Sequence, residues 1–212
     1  MYKLALIGFG VVGQGLAEIL LAQKERLRRE HGFEYSVVAV SDFVKGAAYD
    51  PKGLDLAKLL ALAKEGRISE YPGAKTGWNA LDTIAKSNAD VVVEATYTDI
   101  KTAEPAYSHF KAALASGKHL VTTNKGPSAL FFREVAALAK SKKVQFRYEG
   151  TVMSGTPALN LAAVEHLPLG RDHPWRHVRS WSLGNRTAAG DHRQDPGQQQ
   201  GPLRAATPNG GL

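Results

Sequence analysis

The sequence predicts an α/β fold, a doubly wound parallel sheet, followed by a segment that does not join it. Three observations carry this. Along residues 1–168, short continuous apolar runs alternate with stretches of helical period, and strands apolar on both faces belong to sheets covered by helices on both sides. A glycine-rich turn of the form G-x-G-x-x-G directly follows the first apolar run, where a strand-to-helix crossover is expected. Near Gly170 the composition changes abruptly.

The elements follow in order. Residues 4–7 form a short apolar strand ending at Gly8, and residues 11–29 have helical spacing, with Val12, Leu16, Ile19, Leu20 and Leu27 able to share a face. Residues 35–40 are a β-branched run bounded by Ser41 and Asp42, hence a second buried strand. Helices are expected over 54–63 and 80–85, then a strand over 90–95, a helix over 102–116 and a strand over 119–122. A helix over 128–140, a strand over 144–148 and a last helix over 157–166 complete the body. Residues 171–212 hold six arginines but no lysine, glutamate, isoleucine, phenylalanine, tyrosine or methionine, and only ten of these 42 residues are apolar. A Gln198–Gln200 run and prolines from Pro174 onward add to the bias. Such a segment buries too little apolar surface to offset the ordering of its backbone. The expected organisation is a nucleotide-binding domain over 1–150, the start of a second domain over 151–168, and a low-complexity, disordered tail over 169–212.

With 212 residues, 43% of them apolar, the chain can bury a core of its own. No apolar run approaches the length of a membrane span. The absence of cysteine excludes disulfides, thiolate zinc sites and a cysteine nucleophile, and fits a cytoplasmic protein. The net charge of +7 raises the question of nucleic acid. Residues 1–170 carry 21 of the 27 basic and 17 of the 20 acidic residues. The excess is therefore densest in the tail and forms no basic stripe with interleaved aromatics, so no nucleic-acid partner is expected. His166, His173, His177 and His192 have loop-like spacing without the glutamate and helix that a zinc hydrolase pair requires.

The chemistry gathers at strand ends. In Gly8-Phe9-Gly10-Val11-Val12-Gly13, Gly8 permits the tight turn, Gly10 lets backbone approach a diphosphate and Gly13 lets helix pack on strand. The helix N-terminus offers unpaired N–H groups and the positive end of its dipole. Asp42, ending the second strand, either accepts from both hydroxyls of an adenosine ribose, which favours NAD, or is a turn or cap residue. Lys45 suits the 2′-phosphate of NADP instead, so the choice between NAD and NADP stays open. Thr96 and Thr98 offer hydroxyls to the cofactor, or cap the helix expected from residue 102. Lys125, in Asn124-Lys125-Gly126-Pro127 after a buried strand, stands at the ligand edge, placed to act on a carbonyl or a nicotinamide.

Residues 8–13, 121–127 and 148–157 (Tyr-Glu-Gly-Thr-Val-Met-Ser-Gly-Thr-Pro) together resemble homoserine dehydrogenase, a resemblance covering residues 1–168. It implies a Rossmann-type domain and NAD(P)-dependent interconversion of L-homoserine and L-aspartate 4-semialdehyde, a step of threonine and methionine biosynthesis. By resemblance, Gly8, Gly10, Val11, Val12 and Gly13 hold the diphosphate, Thr96 contacts the cofactor, and Lys125 lies between nicotinamide and substrate. Glu149, Val152, Ser154 and Thr156 match a sodium-binding loop; the other reading of Glu149 is a carboxylate at a helix N-terminus.

The family's next stretch, Gly-Ile-Leu-Asn-Gly-Thr-Thr-Asn, and the substrate domain with its acidic residues and second lysine have no counterpart in this sequence. A positioned acid is worth roughly 100- to 10,000-fold in rate, so the chain alone is expected to be inactive. A reading-frame change near Gly170 accounts for the tail. Asp172-His173-Pro174-Trp175-Arg176, back-translated as GAC CAT CCA TGG CGT and shifted one base, reads Thr-Ile-His-Gly-Val; a gene sequence with no compensating frame downstream refutes this. Unpartnered apolar surface on the last helix predicts self-association into a homo-oligomer. The other readings are a different NAD(P)-dependent oxidoreductase and a non-catalytic nucleotide-binding or interaction module.

Overall fold

The computed structural model describes residues 1–163, with side chains through Asn160. The expected disordered tail over 169–212 and the end of the helix expected over 157–166 lie outside the described residues. Among the described residues seven strands form one sheet: β1 (Tyr2–Ile7), β2 (Tyr35–Asp42), β3 (Gly46–Tyr49), β4 (Lys75–Thr76), β5 (Val91–Glu94), β6 (His119–Thr122) and β7 (Phe146–Arg147), in the order β4-β3-β2-β1-β5-β6-β7. From β2 to β7 every neighbouring pair is parallel, whereas β3 pairs antiparallel with β2 and with β4. The fold is the expected Rossmann-like one, with an antiparallel extension at one edge.

Along β1 the side chains alternate between two cores. Leu4 and Leu6 join one cluster with Val37, Leu59 and Ile68; Ala5 and Ile7 join another with Val38, Val92, Phe110 and Leu120. Each buried Leu, Ile or Phe contributes about 1.5–3 kcal/mol, and the alternation is why these strands read as unbroken apolar runs. Helices α1 (Val11–Ala22) and α3 (Leu56–Lys64) cover the first face, after α2 (Lys24–His31) closes at Gly32 with φ 60. Helices α4 (Ala80–Lys86), α5 (Ala106–Ala115) and α7 (Phe132–Ser141) cover the second. Helix α6 (Lys125–Leu130) follows β6 directly, and α8 (Ala158–Ala163) is the last described element.

The single helix expected over 11–29 is interrupted at Gln23, whose ψ of 10 is not helical. The helix expected from residue 102 begins at Ala106. Before it the chain is held in turns by Asp99, which accepts from the amides of Lys101 and Thr102 at 2.7 and 2.9 Å, and Ala103 has a left-handed φ of 63. The helix expected over 128–140 is two helices that begin at Lys125. Among the described residues no helix is long and apolar enough to cross a membrane.

Candidate cofactor site

β1 ends at Ile7 and the chain turns at Gly8, whose φ of +88 and whose N–H, donating to Ser41 O at 2.8 Å, fix the reversal. A Cβ on Gly8 would lie 2.5 Å from Ala95 O, and one on Gly13 2.3 Å from Gly8 O. Gly10 differs: a Cβ there meets nothing within 4 Å, and its φ of −76 is open to any residue. Nothing in the protein's own packing asks for glycine at this position. It is the N-cap of α1, no side chain caps that helix, and Val11 and Val12 are exposed beside it. An uncapped first turn next to an open, side-chain-free position is the cradle a diphosphate needs. Gln14 holds the turn from behind, donating to Phe9 O at 2.9 Å and Gly10 O at 3.3 Å.

Asp42 is tied into the same turn. Its Oδ2 accepts from the Phe9 amide at 2.8 Å and its Oδ1 from the amides of Val44 and Lys45 at 3.0 Å each. Burial raises the pKa of this carboxyl, but the amides of Lys45, Phe9 and Val44, with the Lys45 charge, outweigh it and hold the pKa below its ordinary value. Lys45 Nζ lies 3.8 Å from Oδ1. The turn-residue reading of Asp42 is therefore realised, and the same carboxylate also lines a cavity of about 690 Å³ with Phe43, Trp78, Leu81, Thr96 and His109. Phe43 stands fully exposed at its mouth, and Trp78 stacks on Tyr49 at 4.8 Å with Lys75 Nζ over its ring.

Across β1, Thr96 lines the cavity and its hydroxyl donates to Glu94 Oε1. Neither Thr96 nor Thr98 caps α5, whose N-cap is Pro105 with no side-chain bond; the capping reading is corrected, because the turns over residues 99–105 delay the helix. Lys125 is the first residue of α6, exposed at the end of β6, after Asn124 caps the helix by accepting from the Gly126 amide at 3.2 Å. Glu149, Val152, Ser154 and Thr156 fall in the loop before α8. The Glu149 carboxyl accepts from the amides of Leu159 and Asn160 at 3.0–3.2 Å, and the Thr156 carbonyl accepts from Ala158 at 2.7 Å. Glu149 thus serves the α8 N-terminus, the helix-terminal reading, and the loop's conformation needs no sodium ion to explain it.

Sequence reasoning missed Glu94, His109, Gln14, Asn124 and Trp78. A lone acid closing the Val-Val-Val run of β5 is the signal that could have found Glu94, since a carboxyl there must be buried and partnered.

The family model described as "Homoserine dehydrogenase, NAD binding domain" matches residues 8–149. The chain is 43% identical over 162 residues to the NAD(+)-dependent homoserine dehydrogenase of Pseudomonas canavaninivorans, covering 76% of this chain and 46% of that protein. It is 40% identical over 158 residues to the homoserine dehydrogenase of Methanocaldococcus jannaschii, covering 74% and 46%. A hyperthermophilic archaeal homoserine dehydrogenase in complex with NADPH superposes with a TM-score of 0.65 at 26% identity, covering 76% and 47%. The chain spans about half the length of the curated relatives it matches. The family description and two of these names speak of a nicotinamide cofactor.

Proposed function

Since the chain belongs to the homoserine dehydrogenase family, matched over its NAD-binding domain, we propose that residues 1–150 bind NAD across the carboxyl edge of the sheet. In this reading they form the cofactor half of an enzyme that interconverts L-homoserine and L-aspartate 4-semialdehyde. The observation that carries the reading is Gly10: open space in front of an uncapped helix, at the one glycine of the motif that packing does not require.

The bound cofactor supplies hydride chemistry. The first-turn amides of α1 hold its diphosphate, with Gly10, Val11 and Val12 lining the approach and Gly8 and Gly13 keeping the turn compact. The adenosine half enters the apolar cavity between Phe43, Trp78 and Leu81. Asp42 accepts from the ribose hydroxyls through its remaining lone pairs and disfavours a 2′-phosphate. At about 4 Å and an effective dielectric constant near 20 the gross repulsion is about 4 kcal/mol. Lys45 at 3.8 Å and solvent reduce this. A net penalty of about 1–2 kcal/mol, roughly five- to thirtyfold in affinity, remains. Thr96 faces the nicotinamide half, and Lys125 Nζ supplies a positive group that orients the reacting carbonyl and holds a proton near its oxygen.

For this chain we expect binding of the cofactor; the interconversion is proposed for the whole enzyme, of whose relatives' length the chain spans about half. Calorimetric titration with NADH and NADPH, followed by homoserine-dependent reduction of NAD, tests both parts. Binding of neither dinucleotide refutes the proposal; tighter binding of NADPH refutes the assignment to Asp42.

A further inference from the structure

Glu94 ends β5 with no exposed surface, directly between the glycine turn and the strand that leads to Lys125. Burying a carboxyl is costly unless its oxygens are satisfied. Here Oε1 accepts from the Thr96 amide at 3.2 Å and from the Thr96 hydroxyl, and it lies 3.5 Å from His109 Nδ1, itself buried. Thr122 Oγ1 donates to the Glu94 carbonyl at 3.0 Å and reaches Oε2 at 3.3 Å. An apolar side chain of similar size would fill this space at a lower desolvation cost. What the carboxyl adds is a clamp between two loops.

The clamp continues toward Lys125. Thr122 Oγ1 accepts from the Asn124 amide at 2.9 Å, and Asn124 Nδ2 donates to Thr96 O at 3.2 Å and Tyr97 O at 3.0 Å. Gly126 approaches the same loop so closely that a Cβ would lie 2.5 Å from Asp99 O. The backbone on both sides of Lys125 is therefore set against the segment that Glu94 holds. On the adenosine side, Asp42 is held by the amides of Phe9, Val44 and Lys45 and Trp78 stacks on Tyr49, none of them a partner of Glu94, while Thr96 and His109, which Glu94 does touch, line the same cavity.

We infer that Glu94 is a positioning residue: through Thr96, Thr122 and Asn124 it sets the start of α6, and with it Lys125, against the nicotinamide half of the cofactor, leaving the adenosine half unaffected. The inference rests on the cofactor reading above. ADP-ribose, which has the same adenosine and diphosphate but lacks nicotinamide, separates the two halves. Dissociation constants for NADH and ADP-ribose are measured by calorimetry on the parent chain, Glu94→Gln and Thr122→Val, with circular dichroism and the fluorescence of bound NADH as further readouts.

In Glu94→Gln, ADP-ribose affinity stays within about twofold, while the advantage of NADH over ADP-ribose shrinks about tenfold, the size of one lost charge-assisted hydrogen bond. Bound NADH also loses its fluorescence signature. Thr122→Val shows the same split with a smaller amplitude, and decides by the same criterion if Glu94→Gln does not fold. Equal weakening of both ligands marks a purely structural residue and overturns the inference, as does an unchanged ratio or a parent that gains nothing from nicotinamide. A parent that fails to bind ADP-ribose overturns the cofactor reading itself; binding without the split overturns only this inference.

Discussion

Gly10 and Gly13 belong to the same motif, yet the structure assigns them opposite responses to the same substitution. In Gly13→Ala the new Cβ would sit 2.3 Å from Gly8 O, where 3.0 Å is the floor for real contacts. The oxygen cannot retreat easily, because Gly8 is pinned by its bond to Ser41 O and by its own close approach to Ala95 O. Overpacking against rigid backbone costs about 3 kcal/mol, and alanine's better helix propensity returns about 1 kcal/mol. The net loss of about 2 kcal/mol lowers the Tm by roughly 4–8 °C for a domain of this size. In Gly10→Ala the methyl group meets no protein atom and φ is already −76, so stability changes by less than about 1 kcal/mol. On the proposed binding mode the same methyl group stands in the path of the diphosphate and weakens NADH at least about tenfold. Differential scanning fluorimetry and NADH titration of the two variants give a crossed result: one less stable, the other as stable as the parent but weaker for NADH. A Gly10→Ala protein that binds NADH like the parent, or a Gly13→Ala protein that melts with it, refutes the reasoning.

Other substitutions probe separate parts of the structure. Asp42→Asn leaves an amide nitrogen facing backbone N–H donors and should cost about 1–3 kcal/mol at neutral pH, while narrowing the NADH-over-NADPH preference. Because the folded-state pKa of Asp42 lies below its ordinary value, its contribution is complete above about pH 4 and is lost as pH falls through the folded value; the acid limb of the Tm profile should flatten in the variant. Lys118 is buried and donates to Ile84 O, to Ser87 O at 2.7 Å and to Ser87 Oγ at 3.4 Å, tying the end of α4 to the start of β6, and burial lowers its pKa. Lys118→Met strands those carbonyls and should lose about 2–3 kcal/mol in urea unfolding, with no change in the ratio of NADH to NADPH affinity. Exchanging sodium for potassium at equal ionic strength should leave both Tm and NADH affinity unchanged, since Glu149 is engaged with the α8 N-terminus; a selective sodium effect would restore the cation reading of that loop.

Parallel strands were legible because each buries both faces, so that Leu4 to Ile7 and Val37 to Val40 read as unbroken apolar runs, and the glycine turn was legible because a strand precedes it and a helix follows. β3 and β4 were not. Gly46-Ala-Ala-Tyr49 has little β-branching, and the Lys75-Thr76 pair is too short to show a period; they are strands because β2 offers β3 a free edge and β3 offers one to β4. The start of α5 was misplaced for a similar reason. Thr102 is a good cap by type, but Asp99 had already taken the chain into turns.

By itself the sequence determined the class of fold, the position of the glycine turn and the residues at the strand ends, since all three follow from local patterns that recur wherever the same backbone is needed. Tertiary structure decided what those residues do. Asp42 braces the glycine turn as well as facing the cavity, Glu149 serves a helix rather than standing free, and Glu94 couples two loops 28 residues apart through Thr122. The Asp42 and Glu94 bonds join groups 33 and 28 residues apart, whose partners meet only once the sheet has brought the strand ends together, and the Glu149 bond spans ten residues to the last described helix.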